Sequence, residues 1–367
     1  MQIAPFEIER FYDRWEFRAE LMLSSSDCES LALAELLALE PDAEERLHGL
    51  RLGYTEVAGS EELRGAVAAL YEHVEAPDVL TLAAAEEGIF LAYHALLAAG
   101  EHAVIESPCY GSAIALAHST GAEVSLWQRR HEDGWRHDIP ALEGLLRPDT
   151  RLIYINSPHN PTGTQMSRAD HERMLELARE RSIVVFSDEV YRGLEHDPRE
   201  RLAASCDLYE RAISLGTVSK AHGLPGLRIG WIACRDPAIL ARIRELKLYT
   251  TICSSAPSEL LVALALRHAG ALVERNRAII LANLPLLDAF MERRRELLDW
   301  VRPTAGPIGF ARVSAERDVT AWCEEIAERA GVLLLPGAVY EEPRHIRLGF
   351  GRANLPQALA RLDAHLG

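Results

Sequence analysis

Lys220 stands in a run that holds Gly216, Thr217, Ser219, Gly223, Pro225, Gly226, Arg228 and Gly230, between one apolar stretch that ends near Leu215 and a second from Ile229 to Ala233. A lysine set among small hydroxyl residues and glycines between two strand-like runs suits a buried amine. Burying its charge without a partner costs on the order of several kcal/mol. A desolvated lysine beside another cation, here Arg228, has a lowered pKa, and its neutral amine can attack a carbonyl to form a Schiff base. Taken alone, the same residues also read as an ordinary surface turn.

Other places carry groups that would serve such an amine. Asn160 lies between two proline turns in the run from Asn156 to Gly163, a backbone that aims a side-chain amide inward. Asp188 ends the apolar run 183–186, with Tyr191 three residues on. An acid at the end of a buried strand needs a partner, although capping a helix is a common alternative use of aspartate. Tyr110 follows Pro108 after the strand-like run 102–106, at the strand edge where ligands of open α/β sheets bind; a packed core tyrosine reads equally well. Arg347 sits on the apolar run 345–350, where its fork suits a carboxylate bidentately and where an edge-strand arginine facing solvent is the competing view.

Together these motifs resemble fold-type-I pyridoxal-phosphate (PLP) enzymes, the aspartate-aminotransferase superfamily of class I and II. The run Asn156, Pro158, Asn160, Pro161, Thr162, Gly163 agrees with that family's motif at every fixed position, and Thr217, Lys220, Arg228 and Gly230 match its lysine segment. The resemblance implies an aminotransferase that moves an amino group between an L-amino acid and a 2-oxo acid. Lys220 would form the Schiff base and act as the base, Asp188 would hold the proton of the ring nitrogen, and Asn160 and Tyr191 would share the ring's 3'-oxygen. Tyr110 would stack on the ring. Arg228, Thr217 and the backbone of Ala84, Ala85 and Glu86 would hold the phosphate. Glu86 departs from the family, which has serine or threonine there. Tyr54 would reach the phosphate in the neighbouring subunit of a homodimer. Arg347 and Ser25 would meet the substrate carboxylate.

The elements that must position these groups alternate between strand and helix from about residue 50 to 250, which indicates a mainly parallel, doubly wound sheet. The reading is an α/β PLP-dependent transferase fold. It has an N-terminal arm with part of the small domain (1–45), a large cofactor-binding domain (46–270) and a smaller α/β C-terminal domain (271–367). Helices are expected over 31–39, over 60–74 with Ser60 as cap, and over 271–297 with a kink at Pro285.

The chain is 367 residues long and 48% hydrophobic, enough for a sizeable core, and its net charge of -16 argues against general nucleic-acid or anionic-membrane binding. No apolar run reaches the length of a membrane span. The six cysteines show no paired ligand spacing, so no metal site or disulfide framework is expected and a reducing cytoplasm is the expected compartment. Two further readings stand beside transamination. The Lys220 segment, the Ser24 to Ser26 arm, and Leu335, Pro336 and Gly337 are similar to capreomycidine synthase-like PLP enzymes. Those cyclise a hydroxylated arginine, and Asp27 or Glu29 would then meet the cationic side chain. The other is a ligand sensor built on the same fold.

Overall fold

The computed structural model describes residues 2–314 and 316–367. In chain order its strands are β1 (Leu21–Met22), β2 (Val79–Leu82), β3 (His102–Ser107), β4 (Glu123–Gln128), β5 (Thr150–Asn156), β6 (Val184–Asp188), β7 (Ala212–Thr217) and β8 (Gly230–Ala233). Then come β9 (Leu298–Trp300), β10 (Ile308–Val313), β11 (Val332–Leu333), β12 (Leu335–Pro336) and β13 (His345–Gly349).

Seven strands form one sheet in the order β2-β8-β7-β6-β5-β3-β4. Strands β4, β3, β5, β6 and β7 run parallel, whereas β8 is antiparallel to both β7 and β2. The reversal follows from chain length. The link from Thr217 to Gly230 is a turn with one 3-10 segment, Pro225–Leu227, too short for the helical crossover that a parallel neighbour needs. Every residue of β3, β6 and β7 is buried, as in a sheet covered on both faces. The fold is thus the expected α/β fold around a mainly parallel, doubly wound sheet, and Lys220 sits on the turn where that sheet changes direction.

Helix ends follow local chemistry. Ser60, Asp138, Ser167, Asp236, Ser255 and Asp318 each accept a hydrogen bond from the first turn of the helix they precede. The helix expected to run to residue 74 stops as Glu61–Ala68, because Asp207 Oδ1 captures the backbone N–H groups of Glu72 (3.1 Å) and His73 (2.8 Å). The helix Leu33–Leu37 is likewise shorter than the periodicity over 31–39 suggests. The long helix Ala269–Arg293 runs on through Pro285. No single helix among the described residues is long and apolar enough to cross a membrane; one pair bent by 77°, Ala256–Arg267 with Ala269–Arg293, meets the length and composition test only as a pair.

A second sheet, β12-β13-β10-β9, is antiparallel, and β1 pairs parallel with β11. These pairings bring the arm to the centre of the molecule. Gly349 N donates to Leu23 O at 2.8 Å, and a Cβ at Gly349 would lie 2.0 Å from Ser25 O, so only glycine lets the arm lie flush on β13. The arm helix Glu7–Trp15 buries Ile8, Phe11 and Trp15, and Arg14 pairs with Glu324 at 2.9 Å.

Candidate active site

A cavity of about 350 Å3 opens at the C-terminal ends of β5, β6 and β7, and its wall includes Lys220, Asp188, Asn160, Tyr191, Tyr110, Thr217, Arg228, Ala84, Ala85, Glu86 and Ser25. Residues far apart in sequence meet there because parallel strands end on one edge of the sheet. Nζ of Lys220 donates to Ser26 Oγ at 2.9 Å. Burial pulls the amine below its ordinary pKa, with Arg347 adding to the effect and Asp27 opposing it.

Asp188 is buried at the end of β6. Its carboxylate accepts from Tyr154 Oη (3.2 Å) and Val190 N (3.2 Å), and burial pushes it up to about 6. No fixed cation pairs with it among the described residues, so the site holds an acid in want of a positive partner. Asn160 Oδ1 accepts from Tyr340 Oη (2.9 Å) and Arg347 Nη1 (3.0 Å), which leaves Nδ2 free to donate. Tyr191 Oη is buried on the cavity wall without a hydrogen-bond partner.

The opposite end of the cavity is a cradle of backbone. Gly230 lies so close to the start of the helix Ala84–Leu96 that a Cβ there would stand 2.8 Å from the Ala84 carbonyl carbon and 2.9 Å from Ala85 N. Ala84 (φ 69°) and Arg228 (φ 51°) both adopt left-handed backbone to make this turn. The helix's first N–H groups thereby face the cavity, the arrangement that suits an anion. Arg228 lines the same end and is exposed, with Nη1 on Pro225 O at 3.0 Å. Thr217 Oγ1 donates to Ile229 O at 2.8 Å, so its proton is already engaged. Ser219, which the sequence reading passed over, lies 3.0 Å away with a rotatable hydroxyl on the same wall. Glu86 accepts from Ser112 Oγ at 2.9 Å, and burial raises its carboxyl to about 7, so a substantial share of it is protonated near neutrality.

Three expected residues lie differently from the rest. Arg347 is buried behind the wall rather than on it, with Nη2 on Tyr12 Oη (2.6 Å) and Ser24 O (2.8 Å) and Nε on Ser24 O (3.3 Å). Tyr12 is the side chain that lines the cavity in front of it. Tyr54 is 94% exposed and borders a separate hollow with Leu52, Cys253 and Pro257, away from Lys220 of its own chain. Tyr110 donates its hydroxyl to Glu9 and meets Phe6 edge-on at 4.9 Å, so the arm holds it.

The two acids that the cyclase resemblance suggested for a cationic side chain both have partners within the chain. Asp27 reaches the cavity but is paired with Arg352 at 2.9 and 3.0 Å, and Glu29 accepts from Ala353 N at 2.8 Å and does not line the cavity. Glu9 and Glu16, exposed at the mouth, take their place on the wall. Their signal in the sequence is weak, since acids on a short surface helix are usually only solvated. Tyr12 has no sequence signal beyond being an aromatic residue of the arm.

An amine near a buried acid, a lone hydroxyl and amide donor beside them, and an anion cradle at the far end are the groups that an aromatic aldehyde phosphate needs; pyridoxal 5'-phosphate fits this donor set. The fold and this pocket define a fold-type-I PLP-dependent enzyme. The sequence profile of the family "Aminotransferase class I and II" matches residues 20–362, and the chain belongs to that family. It is 34% identical to capreomycidine synthase of Streptomyces vinaceus, over 96% of this chain and 91% of that one. A PLP-dependent aminotransferase from Streptococcus suis superposes with a TM-score of 0.94 at 32% identity, covering 100% and 98% of the two chains. The PLP-dependent cyclase OrfR superposes at 0.92 with 30% identity, again over 100% and 98%.

Proposed function

We propose that this enzyme is an aminotransferase that takes the amino group of an L-amino acid with a cationic side chain and passes it to a 2-oxo acid. The observation that carries the reading is the placement of Lys220 Nζ, Asp188, Asn160 and Tyr191 on one cavity whose mouth bears Glu9 and Glu16. When bound, pyridoxal 5'-phosphate supplies an aldehyde that condenses with amines and a ring that withdraws electrons from the amino acid's α-carbon.

The chain's own residues do the rest. Asp188, as carboxylate, would hold a proton on the ring nitrogen. Asn160 Nδ2 and Tyr191 Oη would donate to the ring oxygen. Arg228, Ser219 and the backbone N–H groups of Ala85 and Glu86 would hold the phosphate. Lys220 Nζ, its pKa lowered by burial and its position steadied by Ser26 Oγ, would take the proton from the substrate's α-carbon and carry it on Nζ. Arg347 receives the α-carboxylate once Tyr12 gives way. Glu9 and Glu16 attract a positive side chain, since Asp27 is already neutralised by Arg352.

The assembly that fits is a homodimer. Leu52 (83% exposed), Tyr54, Tyr249 (84%) and Ile252 (49%) are exposed apolar side chains on two loops joined where Thr55 Oγ1 donates to Ser254 O, and Tyr54 would complete the partner's phosphate site. A second reading, ring closure on a hydroxylated arginine-type amino acid, is supported by the 34% identity to capreomycidine synthase over nearly the whole chain.

The test is incubation of the PLP-loaded protein with arginine, lysine, hydroxyarginine, leucine and aspartate, each with pyruvate or 2-oxoglutarate, followed by mass spectrometry. Transamination leaves a 2-oxo acid from the donor and a new amino acid from the acceptor. Cyclisation leaves a product lighter by one water and no 2-oxo acid. Equal turnover of leucine and arginine would remove the cationic specificity, and consumption of none of the five would overturn both readings.

A further inference from the structure

Beneath the cofactor-facing wall lies a fully buried ionic cluster that the proposed chemistry does not use. Glu106, at the end of β3, accepts from Arg129 Nη1 (2.6 Å) and His137 Nε2 (2.8 Å) on one oxygen and from Asn156 N (2.7 Å) on the other. Arg129, equally buried, directs Nε to Trp135 O (2.7 Å) and Nη2 to Thr164 Oγ1 (2.6 Å). His159 links Thr162 Oγ1 (2.7 Å) to the carbonyl of Pro108 (2.8 Å).

The direction of every bond in this chain is forced. A guanidinium only donates, so Thr164 Oγ1 accepts from Arg129; and because Thr162 spends its one proton on the neutral ring of His159, Thr162 Oγ1 accepts from Thr164 Oγ1, 2.7 Å away. Thr162 Oγ1 in turn donates to His159 Nδ1. A carbonyl only accepts, so His159 carries its hydrogen on Nε2 and donates it to Pro108 O. Burial, with Arg129 nearby, pushes His159 down to about 3, which agrees with a neutral ring throughout the working range.

The relay ends two residues before Tyr110 and passes one residue before Asn160. From Glu106 a second branch runs through Asn156, whose Nδ2 donates to Asp188 O (2.9 Å) and whose Oδ1 accepts from Asn160 N (2.7 Å). One buried carboxylate thus orders the loops that carry Tyr110 and Asn160 and the strand end that carries Asp188. We propose that His159, which does not line the cavity, is a positioning residue that locks the Tyr110 loop to the Asn160 loop, so that the two grip the cofactor ring as one unit. This rests on the PLP reading above.

The test is a double-mutant cycle read as PLP affinity of the cofactor-free protein, by quenching of its tryptophan fluorescence. His159→Leu and Tyr110→Leu should each weaken PLP binding by about 10-fold, and the double variant by little more than either alone, because the second change removes a grip already lost. His159→Gln, which can still accept and donate, should bind within about threefold of wild type. Should His159→Leu fail to fold, Thr162→Val removes the proton donated to Nδ1 together with the oxygen that accepts from Thr164, and should weaken PLP about 3-fold to 5-fold, again without adding to Tyr110→Leu. Weakening that multiplies to about 100-fold in the double variant would show independent action and overturn the proposal. Failure of the wild-type chain to bind PLP would instead overturn the cofactor reading itself.

Discussion

Nη2 of Arg347 lies 2.6 Å from the hydroxyl oxygen of Tyr12, and the same hydroxyl donates to Ser24 O at 2.9 Å. Tyr12 and the Ser24 carbonyl together occupy the face of the guanidinium that a substrate carboxylate would take. For the carboxylate site proposed above, the arm stands in the way, and binding there has to displace the bonds that Arg347 makes to Tyr12 and to Ser24 O.

Tyr12→Phe removes the competing oxygen while keeping the ring. Exchange of one hydrogen bond is worth about 1 kcal/mol, so KM for the amino acid should fall about fivefold with kcat within about twofold. Steady-state kinetics check this, and a rise in KM would make Tyr12 a substrate ligand instead of an obstacle.

Lys220 and Lys247 are the only lysines in the chain. Borohydride reduction of the PLP-loaded protein, followed by peptide mass spectrometry, should find the reduced cofactor on the peptide containing Lys220 and leave Lys247 unmodified. Lys220→Arg should lower turnover by about 10^3-fold or more, as expected for loss of an essential base.

Asp188 carries a stability signature of its own. Burial holds it at about 6 against an ordinary 3.8. The charged form is therefore a burden on the folded state above about pH 6, and the burden fades below that pH as the folded protein takes up the proton. Cofactor-free Asp188→Asn should be more stable than wild type at pH 8, by about 1–3 kcal/mol, an advantage that shrinks as pH falls below about 6 and is gone near about pH 3.5, below the unfolded value. Thermal melts at the two pH values decide it. The same variant should lose turnover, since an amide cannot keep the ring nitrogen protonated.

Glu16 is exposed at the mouth, so its influence is long-range and screened. Glu16→Gln should raise KM for a cationic amino acid about 2-fold to 5-fold at low salt, leave a neutral amino acid unchanged, and lose most of its effect at about 0.5 M salt. An equal change for both substrates would remove Glu16 from specificity.

Tyr249→Glu places a charge on the exposed apolar loop that also carries Ile252. Light scattering should show the mass shifting from dimer toward monomer, with PLP binding weakened in parallel as Tyr54 loses the partner's site. A dimer unaffected by the change would place the interface elsewhere.

The residues that meet at this cavity were legible in the sequence because most of them sit in short motifs. Proline turns fix Asn160, a strand end fixes Asp188, and a glycine-rich turn fixes Lys220 and Arg228, each by local backbone constraint. The parallel sheet was likewise legible from alternating strand and helix, although the reversal at β8 became visible only with the short link 218–229 in place. Helix length was less so: the helix that stops at Ala68 ends because Asp207, more than a hundred residues away, takes the amides that would have continued it.

What only the tertiary structure decided is which groups are already engaged. Arg347 reads as a free carboxylate ligand until the arm folds over β13 and supplies Tyr12 and Ser24. Asp27 reads as a free acid until Arg352 arrives, and His159 as a filler between motif positions until Glu106 and Arg129 close beneath it. Local sequence sets the backbone that aims a side chain, but hydrogen bonds between distant segments settle whether its donors and charges remain available, and those partners are chosen by packing alone.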